Sequence, residues 1–113
     1  MTETLFEKII EKDIPADIIY EDDISIVIKD INPQAPTHLL IIPKKVIPKL
    51  SDANQEDQAI LGHLMLVAGK ISRQLELDDT FRLIVNNGAK AGQSVFHLHL
   101  HLMSGRVLNW PPG

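Results

Sequence analysis

An antiparallel α+β domain is the fold this sequence predicts, on three observations. Apolar residues recur at helical spacing through one long segment only. Short β-branched or apolar runs flank that segment and are joined by short links. Helix and strands do not alternate strictly, which argues against a parallel βαβ sheet.

The elements follow in order. Thr4-Leu5-Phe6-Glu7 has the capping-box pattern, with Thr4 as N-cap and Glu7 reaching back. A short helix is expected over residues 5–12, its apolar side formed by Leu5, Phe6, Ile9 and Ile10, with Pro15 beyond its end. Residues 18–21 and 25–29 read as strands on either side of an acidic turn. Asn32-Pro33 and Ala35-Pro36 place a loop over residues 30–37. Residues 38–42 form a nearly continuous apolar strand, expected at the centre of the sheet and stopped by Pro43. A second capping pattern at Asp52–Gln55 opens the long amphipathic helix, expected over residues 53–76 and carrying Leu61, Leu64, Met65 and Ala68. Strands over 81–85 and 96–103 bracket a Gly-rich polar loop over 86–94.

With 113 residues, 44% of them hydrophobic, the chain makes one core. Cysteine is absent, which excludes disulfides, thiolate metal sites and a cysteine nucleophile. The acidic N-terminus lacks a signal-peptide h-region and no apolar run is long enough to span a membrane, so a cytoplasmic, membrane-free protein is expected. Charge is unevenly spread. Residues 1–79 hold eight basic and fifteen acidic side chains, whereas residues 80–113 hold Arg82, Lys90, Arg106 and no acid. An acid-free stretch suits an anion site, because a carboxylate repels phosphate. No basic patch dominates, so nucleic acid is not an expected partner.

That same stretch contains His97-Leu98-His99-Leu100-His101-Leu102-Met103. On a strand the three histidines share one face and the leucines the other, with imidazoles about 6.5–7 Å apart. Three uses compete for such a face. It could be a solvated surface. It could hold a metal, with His38 or the third histidine completing an H-x-H pair. It could supply a nucleophile and an acid for chemistry at phosphorus. The preceding loop, Asn86 to Ser94, favours the last. Its glycines let backbone N–H groups approach an anion, and Asn86, Gln93 and Ser94 add neutral donors.

The triad motif resembles the signature of the histidine triad (HIT) superfamily. Asp30 to His38, Ile42-Pro43-Lys44-Lys45, Gly92-Gln93-Ser94-Val95 and Trp110-Pro111-Pro112-Gly113 are similar to its Hint branch of purine nucleoside phosphoramidases. The resemblance covers nearly the whole chain. It implies a single HIT domain with its core over residues 5–107 and a tail over 108–113. It implies a five-stranded antiparallel sheet, one long and one short helix, and a homodimer across which the sheets merge. The substrates implied are AMP or GMP phosphoramidates, or acyl-AMP, cleaved without a metal or other cofactor. His99 would be the nucleophile, His101 the phosphate-binding histidine, and His97 and His38 supports that set tautomer and orientation. Ser94 would bond near the leaving group, and Asp30 would accept the ribose hydroxyls. Asn86, Gly92 and Ser94 would contact phosphate, with Gln93 beside them. Ile31, Leu5, Phe6 and Ile9 would line the base pocket, and Trp110 would lie near the dimer interface. The alternatives are a dinucleoside polyphosphate hydrolase of the Fhit type and a non-catalytic nucleotide sensor or interaction module. Ser94 and the Trp-Pro-Pro-Gly terminus argue against the Fhit type.

Overall fold

The computed structural model describes residues 3–113. Its elements are α1 (Leu5–Ile10), β1 (Ile18–Glu21), β2 (Ser25–Lys29), β3 (Thr37–Pro43), α2 (Gln58–Gln74), β4 (Arg82–Ile84) and β5 (Leu100–Ser104). The five strands form one antiparallel sheet in the order β1-β2-β3-β5-β4, so the apolar strand β3 is central as expected.

The sheet carries a core on each face. On one, Val27, Leu39, Ile41, Leu98, Leu100 and Leu102 pack against Leu64, Val67, Ala68 and Ile71 of α2. On the other, Ile26, Ile28, Leu40 and Ile42 pack against Phe6 and Ile9 of α1. The leucine–histidine alternation works as anticipated on its leucine side, since Leu98, Leu100 and Leu102 are all buried beneath α2.

Several boundaries differ from expectation, each for a local reason. The capping box at Thr4 and Glu7 is present, but α1 ends at Ile10, and Lys12 turns left-handed with φ 67°. The long helix begins at Gln58, not residue 53. Asp52 accepts from Lys49 N–H and closes a 3₁₀ turn over Leu50–Asp52 instead of capping the helix. Asn54 and Asp57 then build a second 3₁₀ turn, with Asn54 Oδ1 accepting from Glu56 N–H and Asp57 Oδ2 from Asn54 N–H. At the other end the helix stops at Gln74, and Glu76 has φ 55°. The stripe on α2 also divides: Leu64 and Ala68 belong to the core, whereas Met65 is 53% exposed. His63, assigned no chemistry by the sequence, pairs with Asp22 at 2.7 Å and ties α2 to the β1–β2 turn.

The largest departure concerns the last strand. It starts at Leu100, so His97 and His99 precede it. The segment before the strand is held by the loop that follows β3. Leu98 N–H donates to Ile47 O at 2.7 Å, and Gln93 donates to Pro48 O at 2.7 Å.

Candidate active site

Two of the three histidines, His99 and His101, still meet ring to ring, and His97 joins His99 through its backbone carbonyl instead of along one continuous ladder. His97 is wholly buried. Its Nε2–H donates to Pro43 O at 2.7 Å, since a carbonyl can only accept. In the neutral ring Nδ1 then carries a lone pair, which takes the Thr4 hydroxyl at 2.9 Å. Burial lowers the His97 pKa, which keeps the ring neutral.

The same logic sets His99. Its Nδ1–H donates to His97 O at 2.8 Å, which leaves the lone pair on Nε2. Burial lowers the His99 pKa as well, against the opposing pull of that hydrogen bond and of Asp30. Phe6 stands edge-on at 4.9 Å between ring centroids and helps exclude water.

His101 is fixed from the other side. Gln34 N–H donates to His38 Nδ1 at 3.0 Å, so His38 carries its proton on Nε2. That proton points at His101 Nδ1, 2.9 Å away, and so His101 holds its own proton on Nε2. Burial, with the neighbouring His99 and His38, pushes the His101 pKa down to about 4. The His99 and His101 rings lie 5.1 Å apart with their planes at 56°, closer than the spacing along an ideal strand, and His99 lies before the strand begins. The arrangement presents one imidazole lone pair beside one imidazole donor, both uncharged at neutral pH.

These two histidines line a cavity of about 520 Å³. Ser94, Asp30, Ile31, Leu5, Phe6 and Ile9 line it too, so the structure brings together eight of the residues singled out from the sequence. Ile31 is 99% exposed and stands at the rim. Asn86, Gly92 and Gln93 do not line the cavity. Gln93 is buried, and its amide is spent on backbone: Nε2 donates to Pro48 O and Val95 O while Oε1 accepts from Gly88 N–H. Gly92 has φ 102° and ends the 3₁₀ turn over Ala89–Ala91, with a Cβ site 3.6 Å from the Asn86 amide. These three residues shape the loop that carries Ser94.

Asp30 is the carboxylate that the acid-free C-terminal stretch did not foretell. It lies far off in sequence, yet Oδ2 is 3.4 Å from His38 Nε2 and 3.9 Å from His101 Nδ1. Its Oδ1 also accepts from Asn32 N–H at 2.8 Å, closing the turn before Asn32-Pro33. Thr4, Gln34 and Pro43 were not recognised from the sequence as parts of the site. Two of them act through backbone atoms, which leave no trace in residue type, and Thr4 was legible only as a helix cap.

Asp30, His38 and His101 are close enough together to hold a metal ion. Their separations of 2.9, 3.4 and 3.9 Å bracket the spacing of donors around a tetrahedral ion. The hydrogen-bond pattern does not fit one. Ligation through His38 Nε2 would move the proton to Nδ1, directly against the Gln34 N–H.

The buried neutral imidazoles tie stability to pH. Below pH 6.5 the unfolded chain takes up protons that the folded site refuses, so the unfolded state binds more of them. Stability is therefore full above pH 6.5 and is lost as pH falls through the window down to about 4. For His101 the effect is on the order of 3 kcal/mol. Thermal unfolding from pH 7.5 to 4.5 should show this slope. His101→Asn, which keeps an acceptor facing His38, should flatten it.

Comparison with known proteins agrees with the geometry. Residues 11–108 match the HIT domain family. A HIT-like protein of Synechocystis is 57% identical over 111 residues, covering 98% of this chain and 97% of its own length. A maize protein described as a 14 kDa zinc-binding protein is 47% identical over 112 residues, covering 97% of this chain and 88% of its own. The crystal structure of a HIT family hydrolase from Legionella pneumophila superposes with a TM-score of 0.95 at 44% identity, covering 98% of this chain and all of the other.

Proposed function

The chain belongs to the HIT domain family, and we propose that within it the protein is a purine nucleoside phosphoramidase of the Hint branch. One observation carries this reading: a neutral His99 whose proton is committed to His97 O, with the Nε2 lone pair beside the His101 donor. A negatively charged nucleophile would be repelled by the substrate's phosphate, and a neutral imidazole is not.

In the first step His99 Nε2 bonds to the α-phosphorus while the bond from phosphorus to the leaving nitrogen breaks. The departing amine takes a proton from solvent water at the exposed mouth of the cavity, where Ser94 stands. His101 Nε2–H donates to a non-bridging oxygen as charge develops on it. Water then attacks the nucleotidyl-histidine and loses a proton. AMP leaves and neutral His99 returns. Leu5, Phe6, Ile9 and Ile31 offer the apolar surface a purine needs.

Turnover of adenosine 5′-phosphoramidate to AMP and ammonia, surviving dialysis against EDTA, tests the reading. Binding of AMP with no turnover would point to a nucleotide sensor. Loss on chelation restored by zinc would return the metal, in line with the name of the maize relative. Faster cleavage of a dinucleoside polyphosphate would favour the Fhit type.

Asp30 would accept the ribose hydroxyls. Asp30→Ala should weaken AMP binding by about 1.5–3 kcal/mol, the worth of one charge-assisted hydrogen bond. Calorimetry with 2′,3′-dideoxy-AMP should show a much smaller loss. Equal losses would mean that Asp30 acts through its turn to Asn32.

The protein would work as a homodimer. A groove of about 620 Å³ runs along α2, lined by Leu50, Leu61, Met65 and Val85, and β4 is an edge strand. Trp110, 82% exposed, stands on a tail that Arg82 holds through Leu108 O and Asn109 O. Sedimentation at micromolar concentration should give twice the 12.6 kDa chain mass. A fully active monomer would refute the assembly.

A further inference from the structure

The Thr4 hydroxyl occupies a place that helix capping alone does not explain. It accepts from Glu7 N–H at 3.0 Å, which is the cap, and it donates to His97 Nδ1 at 2.9 Å across 93 residues of sequence. His97 is thereby held at both ring nitrogens, by the start of α1 on one side and by the end of β3 at Pro43 on the other. The backbone carbonyl of this clamped residue receives the His99 proton. The three residues that follow on the cavity wall, Leu5, Phe6 and Ile9, belong to the helix that Thr4 opens.

We propose that Thr4 is a positioning residue that couples the docking of α1 to the tautomer and orientation of His99. The proposal rests on the phosphoramidase reading for its kinetic consequence. Its physical basis is accounting of buried polar groups. His97 Nδ1 lies in a fully buried ring, and without the hydroxyl its lone pair has no donor. The ring is then anchored at one end only. The residue 97 carbonyl can rotate, and His99 can carry its proton on either nitrogen. A His99 with the proton on Nε2 has no lone pair to offer phosphorus.

The same hydroxyl makes α1 a sensor of the cavity. A base pressed against Leu5, Phe6 and Ile9 holds the helix in place, and the cap transmits that position to His97. Binding of the nucleoside half of a substrate thus favours the reactive form of the nucleophile, and a substrate without a base forgoes that gain.

Three variants test this, with ring-nitrogen NMR on the labelled protein and steady-state kinetics on adenosine 5′-phosphoramidate. Thr4→Val removes the hydroxyl at constant shape. Thr4→Ser restores it. Glu7→Ala weakens the same helix start by removing the carboxylate that accepts from Thr4 N–H, but leaves the hydroxyl on His97. The wild type should show His99 as a single tautomer with the proton on Nδ1. Thr4→Val should mix the two tautomers and lower kcat about tenfold while KM stays within about twofold, as expected for a misplaced nucleophile in a formed pocket. Thr4→Ser should recover both readouts, and Glu7→Ala should keep both despite a lower Tm. A single His99 tautomer and unchanged kcat in Thr4→Val would overturn the proposal, as would Glu7→Ala reproducing both losses. If the wild type fails to turn over the phosphoramidate, the catalytic reading falls and the ring-nitrogen shifts alone decide the role of Thr4.

Discussion

On the proposed reading, His99→Ala should abolish phosphoramidate turnover, by at least about 10⁴-fold in kcat, because it would remove the atom proposed to bond to phosphorus. The fold should survive. His99 lies outside the β5 ladder, and among the described residues its ring hydrogen-bonds only the backbone of His97, two residues away. AMP affinity should change little, because the surfaces proposed to take base and ribose lie on α1 and at Asp30–Ile31, along the cavity wall. The wild-type enzyme, quenched in alkali during turnover, should yield nucleotide label on a peptide containing His99, and the variant should not. Near-normal kcat in the variant would remove His99 from the reaction.

His101→Ala comes next, with kcat expected to fall about 10²–10³-fold, the usual cost of removing one donor aimed at developing charge. His101 brings Nε2–H into the cavity only because His38 donates to its Nδ1, and His38 does so only because Gln34 N–H occupies the other nitrogen. The truncation therefore also leaves the His38 proton without its acceptor inside a buried site. His101→Gln, whose amide N–H reaches toward the position of Nε2, should recover part of the rate. A rise in KM with unchanged kcat would show instead that His101 binds the ground state and the transition state equally. Because the proposed nucleophile His99 must be neutral to offer its lone pair, activity should also decline on acidification, at a pH below that of a free imidazole, since burial lowers the His99 pKa.

The fold was legible wherever a residue pattern acts locally. The capping box at Thr4, the strands at 18–21 and 25–29 and the central place of β3 all appear as anticipated. Each depends on neighbours in the chain or on a run of apolar side chains. The helix start at Gln58 was not legible in this way. Asp52, Asn54 and Asp57 are all competent caps, and the one that opens α2 is chosen by how the preceding turns pack, with Asp57 buried and paired to Lys45 at 2.6 Å. The site divides similarly. Eight side chains singled out from the sequence do meet in one cavity, whereas Gln93 and Gly92 turn out to hold the adjoining loop.

From its sequence alone this chain determines an antiparallel α+β architecture, a leucine face beneath one long helix, and a concentration of imidazoles away from carboxylates in the chain. Tertiary structure alone decided what those imidazoles are. A histidine's reactive nitrogen depends on which atoms face the ring, and here those atoms are Pro43 O, His97 O, the Gln34 N–H and the Thr4 hydroxyl. Three of the four are backbone groups, common to nearly every residue type, so no pattern of letters marks them. Their positions follow from the loops after β3 and before β5 being pinned together, and from α1 and its cap closing over the segment before β5. Charge was redistributed in the same way: Asp30, outside the acid-free stretch, reaches the triad through the β2–β3 connection, because antiparallel pairing brings Lys29 opposite Leu39 and carries the next residue to His38.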